Sequence, residues 1–250
     1  MIKYGLKLWT NNETRVFEEA RNLYAAGRFD FIELYYQPVA PIDPRRLELF
    51  DGLPVSIHAP HSNGFDELMI GDEQQRIWSE VVALADRFKS DVIVVHPGLR
   101  HTFDTFAKAL KKIDDPRIRI ENMPGQDRNR QEMFGQLLSD LKRIRTMKPI
   151  CFDIEKAVKA AANQQLDYHV YIENGLRELT PEYFHISGGE AASSVDQHEN
   201  LRNSTYDLAW VKRTLERYAS ERDIRLVFEV PKNKEDLRND LENMEYFRSL

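Results

Sequence analysis

Six side chains able to bind a metal or move a proton fall at the ends of six apolar runs. They are His58 after Val55-Ser56-Ile57, His96 after Val94-Val95, Glu121 after Ile118-Arg119-Ile120, Asp153 after Cys151-Phe152, His185 after Tyr183-Phe184 and Glu229 after Val227-Phe228. One such residue is ordinarily a hydrogen-bonded or ion-paired structural group. Six in succession, each closing a β-like run, form a set aimed at a common centre. Burying these groups unpaired costs on the order of several kcal/mol each, and bound divalent cations relieve that cost. Imidazole and carboxylate together suit Zn²⁺, Mn²⁺ or Fe²⁺ better than Mg²⁺ or Ca²⁺. A weaker constellation, Asp196-Gln197-His198, lies in the stretch Gly188–Asn203 and offers a further ligand pair. His61 follows His58-Ala59-Pro60 and reads as a residue lining the site without binding metal; His101 and His169 read as structural or surface.

Such a set needs elements that converge. The β-rich runs are Lys3–Trp9, Phe29–Tyr36, Val55–His58, Val92–His96, Arg117–Asn122, Ile150–Asp153, Tyr183–Ser187 and Arg225–Val230. Helical spacing of apolar residues marks Asn12–Ala26, Asp72–Phe88, Asn129–Arg145, Tyr206–Ala219 and a last helix from Lys234 toward Leu250, with Thr10, Asp72, Thr102 and Thr180 as N-caps. Alternation of this kind means parallel strands with helical crossovers. Eight units in 250 residues match a closed (β/α)8 TIM barrel of one domain, residues 1–250, better than an open doubly wound sheet. In that barrel the strand C-termini share one face, where active sites are built. The aperiodic stretch Gly188–Asn203 reads as a functional or mobile loop.

Composition narrows the function. At 42% apolar residues the chain fills a sizeable core. Cys151 is the single cysteine, which excludes an internal disulfide and an all-cysteine zinc site and suggests a reducing, cytoplasmic setting. No apolar run reaches membrane-spanning length, and Met1–Trp9 lacks the order of a signal peptide. A net charge of −6 argues against binding nucleic acid through bulk positive charge.

In order along the chain, His96-Pro97-Gly98, Glu121-Asn122-Met123-Pro124-Gly125-Gln126, Phe152-Asp153, His185, Val195-Asp196-Gln197-His198 and Glu229 resemble endonuclease IV, the apurinic/apyrimidinic endonuclease family 2, within the xylose isomerase-like TIM barrels. The resemblance implies a barrel with three zinc ions that hydrolyses the phosphodiester 5′ to an abasic site. It implies that His58, His96 and Glu121 hold one metal, that Glu121 bridges to a second held by Asp153, His185 and Glu229, and that Asp196 and His198 belong to a third. Where the family has a histidine three residues after the strand-six aspartate, this chain has Lys156. A protonated lysine is no ligand, so two metals per chain are expected rather than three. Lys156 is then a point charge for a phosphate or sugar oxygen, and Glu155 a substitute ligand.

Two enzymatic readings follow. The first is a metal-dependent phosphodiesterase acting on abasic duplex DNA, with Glu121, Glu229 and Lys156 as catalytic residues. Arg100, Arg128, Arg130, Arg202, Lys232 and Lys234 would meet phosphates, although Asp66, Glu67, Asp127, Glu190 and Glu199 lie in the same loops. The second is a sugar or sugar-phosphate isomerase or epimerase, in which Glu121, Asp153, His185 and Glu229 hold a single metal and two carboxylates move a proton. There Trp9, Tyr35 and Tyr36 would stack on a sugar ring; Asn122 and Arg202 are further candidates for binding the substrate. A third reading is a non-catalytic metal-binding barrel. Oligomeric state is not legible in the sequence.

Overall fold

Eight short strands pair in parallel, each with the next in the chain, and the last pairs with the first, so the sheet closes on itself. In this computed structural model, residues 1–38, 42–61, 72–98, 102–113, 115–232 and 235–250 are described. The strands are β1 (Ile2–Trp9), β2 (Phe31–Tyr35), β3 (Val55–His58), β4 (Ile93–Val95), β5 (Ile118–Glu121), β6 (Ile150–Asp153), β7 (Tyr183–Ile186) and β8 (Ile224–Phe228). Around them run α1 (Thr14–Ala25), α2 (Pro44–Glu48), α3 (Asp72–Arg87), α4 (Phe103–Leu110), α5 (Leu138–Arg145), α6 (Ile154–Asn163), α7 (Tyr168–Leu179), α8 (Leu208–Ala219) and α9 (Arg238–Ser249). All eight expected strands and the closed (β/α)8 TIM barrel are present.

The period of two along each strand builds the molecule in layers. Outward positions such as Ile32, Ile57, Ile93, Ile120, Phe152, Phe184 and Phe228 join the apolar shell between barrel and helices. Inward positions one level up from the bottom form a small apolar plug of Phe31, Val94, Cys151, Tyr183 and Val227. Phe31 fits only because Gly5 lies opposite it in register. A Cβ on Gly5 would stand 2.4 Å from the Phe31 ring. The next inward layer is polar: Lys7, Glu33, Ser56, His58, Glu121, Asp153 and His185, all buried. The plug floors the site and keeps water from reaching it through the barrel.

Several local expectations need correction. Of the helix expected over 129–145, only Leu138–Arg145 forms. Arg130 and Gly135 take left-handed backbone (φ 61° and 88°), and the Asp127 carboxylate accepts from the Asn129 and Gln131 amides at 2.8 Å, so the segment is a turn. Its apparent helical spacing came from Met133, Phe134 and Leu137 ahead of Leu141 and Ile144; Met133 is buried without being helical. Thr180 is not an N-cap; it ends α7 in left-handed backbone at φ 46°. Thr10 is not one either: its hydroxyl accepts from the Gln37 amide at 2.9 Å and ties β1 to the end of β2. Thr102 does cap α4, in a reciprocal box with Thr105. Helices α2, α4, α6 and α7 lie outside the helices read from periodicity. For α6 the fold adds what the sequence does not show: Ile154–Ala161 is buried, with Glu155, Lys156 and Lys159 included, so its charged residues do not mark a solvent face. Lys234 lies outside the described residues, and the last helix begins at Arg238.

Candidate functional site

The six strand-end residues converge as expected, and the barrel adds two more charges to them. Lys7, in the middle of β1, and Glu33, in the middle of β2, point into the same layer. The sequence reading passed over both, although each is a lone charge flanked by apolar residues in a strand (Leu6-Lys7-Leu8 and Ile32-Glu33-Leu34). That pattern is the signal that could have found them.

On one side lies a cage of carboxylates. Glu121, Asp153, His185 and Glu229 each place a donor atom within 4.8 Å of the others. His185 Nδ1 is 2.9 Å from Glu121 Oε1 and 3.1 Å from Glu229 Oε1, and its Nε2 is 2.9 Å from Glu33 Oε2. Burial opposes a charge on this ring, but Cys151, Glu229, Glu33 and Glu121 together push its pKa well above the ordinary value. Lys156, from the first turn of α6, reaches into the cage. Its Nζ is 2.5 Å from Glu121 Oε1, 3.4 Å from Asp153 Oδ2 and 3.9 Å from Glu229 Oε2. Burial works against the ammonium, yet the attraction of Glu121, Asp153 and Glu229 holds it protonated, well above the usual lysine range. It is neither a solvated helix-start lysine nor a free charge at the mouth. Lys7 Nζ pairs with Glu229 and lies 3.0 Å from Glu33 Oε1. Three cationic groups thus face four carboxylates. The donor types suit a divalent ion, but Lys156 stands among them, and a cation held by Glu121, Asp153 and Glu229 would meet the ammonium at contact distance. The carboxylate side therefore does not fit a metal while Lys156 occupies it.

The other side is built of neutral imidazoles. His58, His61 and His96 bring ring nitrogens within 4.8 Å of one another. His58 Nδ1 donates to the Ala59 carbonyl at 2.7 Å. That bond leaves the Nε2 lone pair of the neutral ring directed at Glu121 Oε2, 3.3 Å away. His96 Nε2 is 2.7 Å from the same oxygen yet out of line for a hydrogen bond, and it has no hydrogen-bond partner among the described residues. Burial drives His96 down to about 4, with Lys156 adding to the effect against Glu121. Burial also lowers His58 and, with His96 and His58 as neighbours, lowers His61 further. Neutral imidazole lone pairs facing a carboxylate oxygen repel one another without a cation between them. This donor set fits a divalent ion, and His58, His96 and Glu121 would hold it.

The long loop is held rather than loose. Gly188 and Glu199 exchange backbone hydrogen bonds at 2.8 and 2.9 Å. Lys159 of α6 donates to Gln197 Oε1 at 2.5 Å and to the Glu190 carbonyl at 2.6 Å, and its ammonium is 3.2 Å from Glu155 Oε1. Asp196 and His198 are 3.1 Å apart, and His198 Nε2 reaches Glu229 Oε2 at 3.3 Å. Glu155 lies with them, its carboxylate within 4.8 Å of ligand atoms of Asp196 and His198. Burial and the neighbouring Asp196 raise its pKa well above the carboxylate range.

The mouth opens as a pocket of about 190 Å³ lined by Lys7, Trp9, Tyr35, Gln37, His61, His198, Glu229, Val230 and Lys232. Trp9 and Tyr35 are thus where a ligand would meet them, and the Tyr35 hydroxyl both donates to the His61 carbonyl (3.0 Å) and accepts from its amide (3.1 Å). Tyr36 is not there: the strand alternation turns it outward, and its hydroxyl donates to Glu80 of α3. Asn122 is fully buried, and its side chain is spent clamping β5 to β6 through the Asp153 carbonyl (3.0 Å) and amide (2.6 Å). Arg202 stacks on Tyr246 of α9 at 4.5 Å and does not line the pocket. Lys232 pairs with the buried Asp240. Arg128 and Arg130 are exposed; Asp66, Glu67, Arg100 and His101 lie outside the described residues. His169 sits in the first turn of α7, 2.8 Å from Asp167. Cys151 is buried in the plug, and burial pushes its thiol up to about 12. Among the described residues no helix is long and apolar enough to cross a membrane.

The architecture recurs in solved structures. AsfvAP:AG aligns over 99% of this chain and 97% of its own, at 13% identity and a TM-score of 0.69. The 3-keto-D-glucoside 4-epimerase YcjR from E. coli aligns over the whole of both chains, at 12% identity and a TM-score of 0.67. A xylose isomerase domain-containing protein from Salmonella typhimurium LT2 aligns over 98% of this chain and 96% of its own, at 12% identity and a TM-score of 0.60. At such identities the likeness is one of fold. No curated protein sequence matches the chain. The family description "xylose isomerase-like TIM barrel" matches residues 21–250, and with the closed barrel and the strand-end cluster in view, this chain belongs to that family.

Proposed function

We propose that the chain is an isomerase or epimerase of a small sugar or sugar phosphate, using one divalent metal held by His58, His96 and Glu121. The observation that carries this reading is the pocket. At about 190 Å³ it lies below the roughly 300–1,000 Å³ of sites for drug-sized ligands, which suits a monosaccharide. Trp9 and Tyr35 offer ring faces to its C–H surface, and Lys7, Gln37 and His198 offer polar groups to its hydroxyls.

Glu229 is the pocket-lining carboxylate with its oxygens inside the cage, and in this reading it removes the proton from the carbon next to the substrate carbonyl. Lys7, paired with Glu229 and Glu33, supplies a fixed positive charge for the oxygen on which negative charge grows. His198, 3.3 Å from Glu229 Oε2, returns or relays the proton. Glu121 is fully buried; it holds Lys156 and His185 in place and stays out of contact with substrate. When bound, the metal would polarise a sugar oxygen as a Lewis acid. The count of one revises the expected two, because Lys156 occupies the carboxylate side.

The test is deuterium exchange. Metal-loaded protein is incubated in D₂O with D-fructose, D-xylose and D-fructose 6-phosphate, and the carbon next to the carbonyl is followed by NMR. Exchange should appear with at least one sugar and fall at least ~100-fold in Glu229→Gln, the lower end of what a general base contributes. No exchange with any of the three defeats the reading. The Asp196–His198 pair beside Glu229 favours the abasic-site phosphodiesterase as the second reading. Incision 5′ to an abasic site, abolished in Glu121→Ala, would put that activity in its place.

A further inference from the structure

We infer that His61 is a third imidazole ligand, with His58 and His96, in a metal site selective for Zn²⁺-like cations over Mg²⁺ and Ca²⁺. The inference rests on the single-metal reading above and adds a ligand to it. The resemblance to endonuclease IV assigned His58, His96 and Glu121 to one metal and gave His61 no role.

Three observations carry it. The ring nitrogens of His58, His61 and His96 converge within 4.8 Å. The His61 ring lies parallel to that of His96, with centroids 4.1 Å apart and planes at 12°. His61 is also held there: the Tyr35 hydroxyl bonds both its carbonyl and its amide, at 3.0 and 3.1 Å. Tyr35 is itself fixed in β2 and packs on the His58 and His61 rings with centroids 5.3 and 5.2 Å away.

The chemistry of the donors points the same way. The His58 Nδ1–H bond to the Ala59 carbonyl (2.7 Å) is the outer-shell contact that metal-bound histidines typically make, and it commits Nε2 to the metal side. His96 Nε2 is buried and lacks a hydrogen-bond partner among the described residues. A buried ring nitrogen left so is costly, and a cation shared with His58 and His61 satisfies it. Three imidazoles, with Glu121 Oε2 beside two of them (His58 Nε2 at 3.3 Å and His96 Nε2 at 2.7 Å), are donors for Zn²⁺ and its neighbours, since Mg²⁺ and Ca²⁺ prefer all-oxygen shells. His61 also lines the pocket, so the third imidazole sets the cation at the pocket wall.

The experiment uses the full-length protein stripped with chelator and reloaded with Zn²⁺ or Co²⁺. X-ray absorption of the Zn²⁺-loaded wild type should count three imidazoles, a reading that needs no variant. Competition with a chromophoric chelator should show Zn²⁺ bound at least ~10-fold more weakly by His61→Ala, the least that losing even an outer-shell partner costs. The Co²⁺ visible spectrum should change in the same variant while circular dichroism does not. Two imidazoles in the wild type, or unchanged Zn²⁺ affinity and Co²⁺ spectrum in His61→Ala, overturn the assignment of His61 and leave the His58–His96–Glu121 reading standing. A wild type that binds neither ion overturns both.

Discussion

Lys156 is where the charge of the site is decided, and replacing it with methionine keeps its length while removing its charge. The ammonium faces Glu121 Oε1 at 2.5 Å and Asp153 Oδ2 at 3.4 Å. At an effective dielectric of about 20 these distances correspond to ~7 and ~5 kcal/mol of gross attraction. Most of that is offset by the desolvation of three buried charges. What survives is visible when one partner is removed: breaking a buried pair costs about 3–5 kcal/mol, because a charge is left uncompensated. For a chain of this size each kcal/mol moves Tm by about 2–4 °C, so Lys156→Met in chelator should melt roughly 6–20 °C below the wild type. The emptied cage then presents Glu121, Asp153, His185 and Glu229 without a resident cation. Added Zn²⁺ or Mn²⁺ should recover ~2.7 kcal/mol at a hundredfold excess over Kd, and metal analysis should rise from one ion per chain to two. A Lys156→Met protein that melts with the wild type in chelator, or binds no additional metal, refutes the view that Lys156 stands in for a cation.

Two further outcomes follow from the barrel. Gly5→Ala should cost about 1–3 kcal/mol by overpacking the interior, since its Cβ would stand 2.4 Å from the Phe31 ring; urea unfolding should recover part of the loss in Gly5→Ala/Phe31→Leu, and an unperturbed Gly5→Ala contradicts the filled plug. Metal-free protein should lose stability as pH falls below about 4.5, the ordinary carboxylate value. Glu33, Glu121 and Glu229 are held below that value against burial, with His185 the first-ranked partner of Glu33 and Glu229 and Lys156 that of Glu121. Depressed carboxylates contribute stability above their unfolded pKa and lose it as protons bind. Asp153, raised to about 6 chiefly by burial, and Glu155 and Asp240, also raised chiefly by burial, work oppositely and cost stability as pH rises, which makes the acid limb shallower. Tm followed from pH 7 to 2.5 should show a shallower acid limb in Glu33→Gln, and an unchanged slope would count against the pairing of Glu33 with Lys7 and His185.

What the sequence determined by itself is local. A period of two closed by His, Glu or Asp is written in four to six neighbouring residues, so the eight strands and the set His58, His96, Glu121, Asp153, His185 and Glu229 could be read before any fold was known. Alternation with helices then left few topologies. What only the tertiary structure decided is which charges meet. Lys7 and Glu229 are separated by 222 residues and Lys156 and Glu121 by 35, and no window of sequence holds both members of either pair. Lys156 reads in the sequence as a point charge for a phosphate or sugar oxygen, and Lys159 carries no signal of its own; closure of the barrel buries α6 from Ile154 to Ala161 and turns Lys156 into the carboxylate cage and Lys159 onto the loop that carries Asp196 and His198. The turn at 126–136 misled for the converse reason, since burial of Met133 reproduces helical spacing without a helix. Side-chain type and strand period are properties of the chain, whereas the compensation of a buried charge is a property of what lies across a closed barrel.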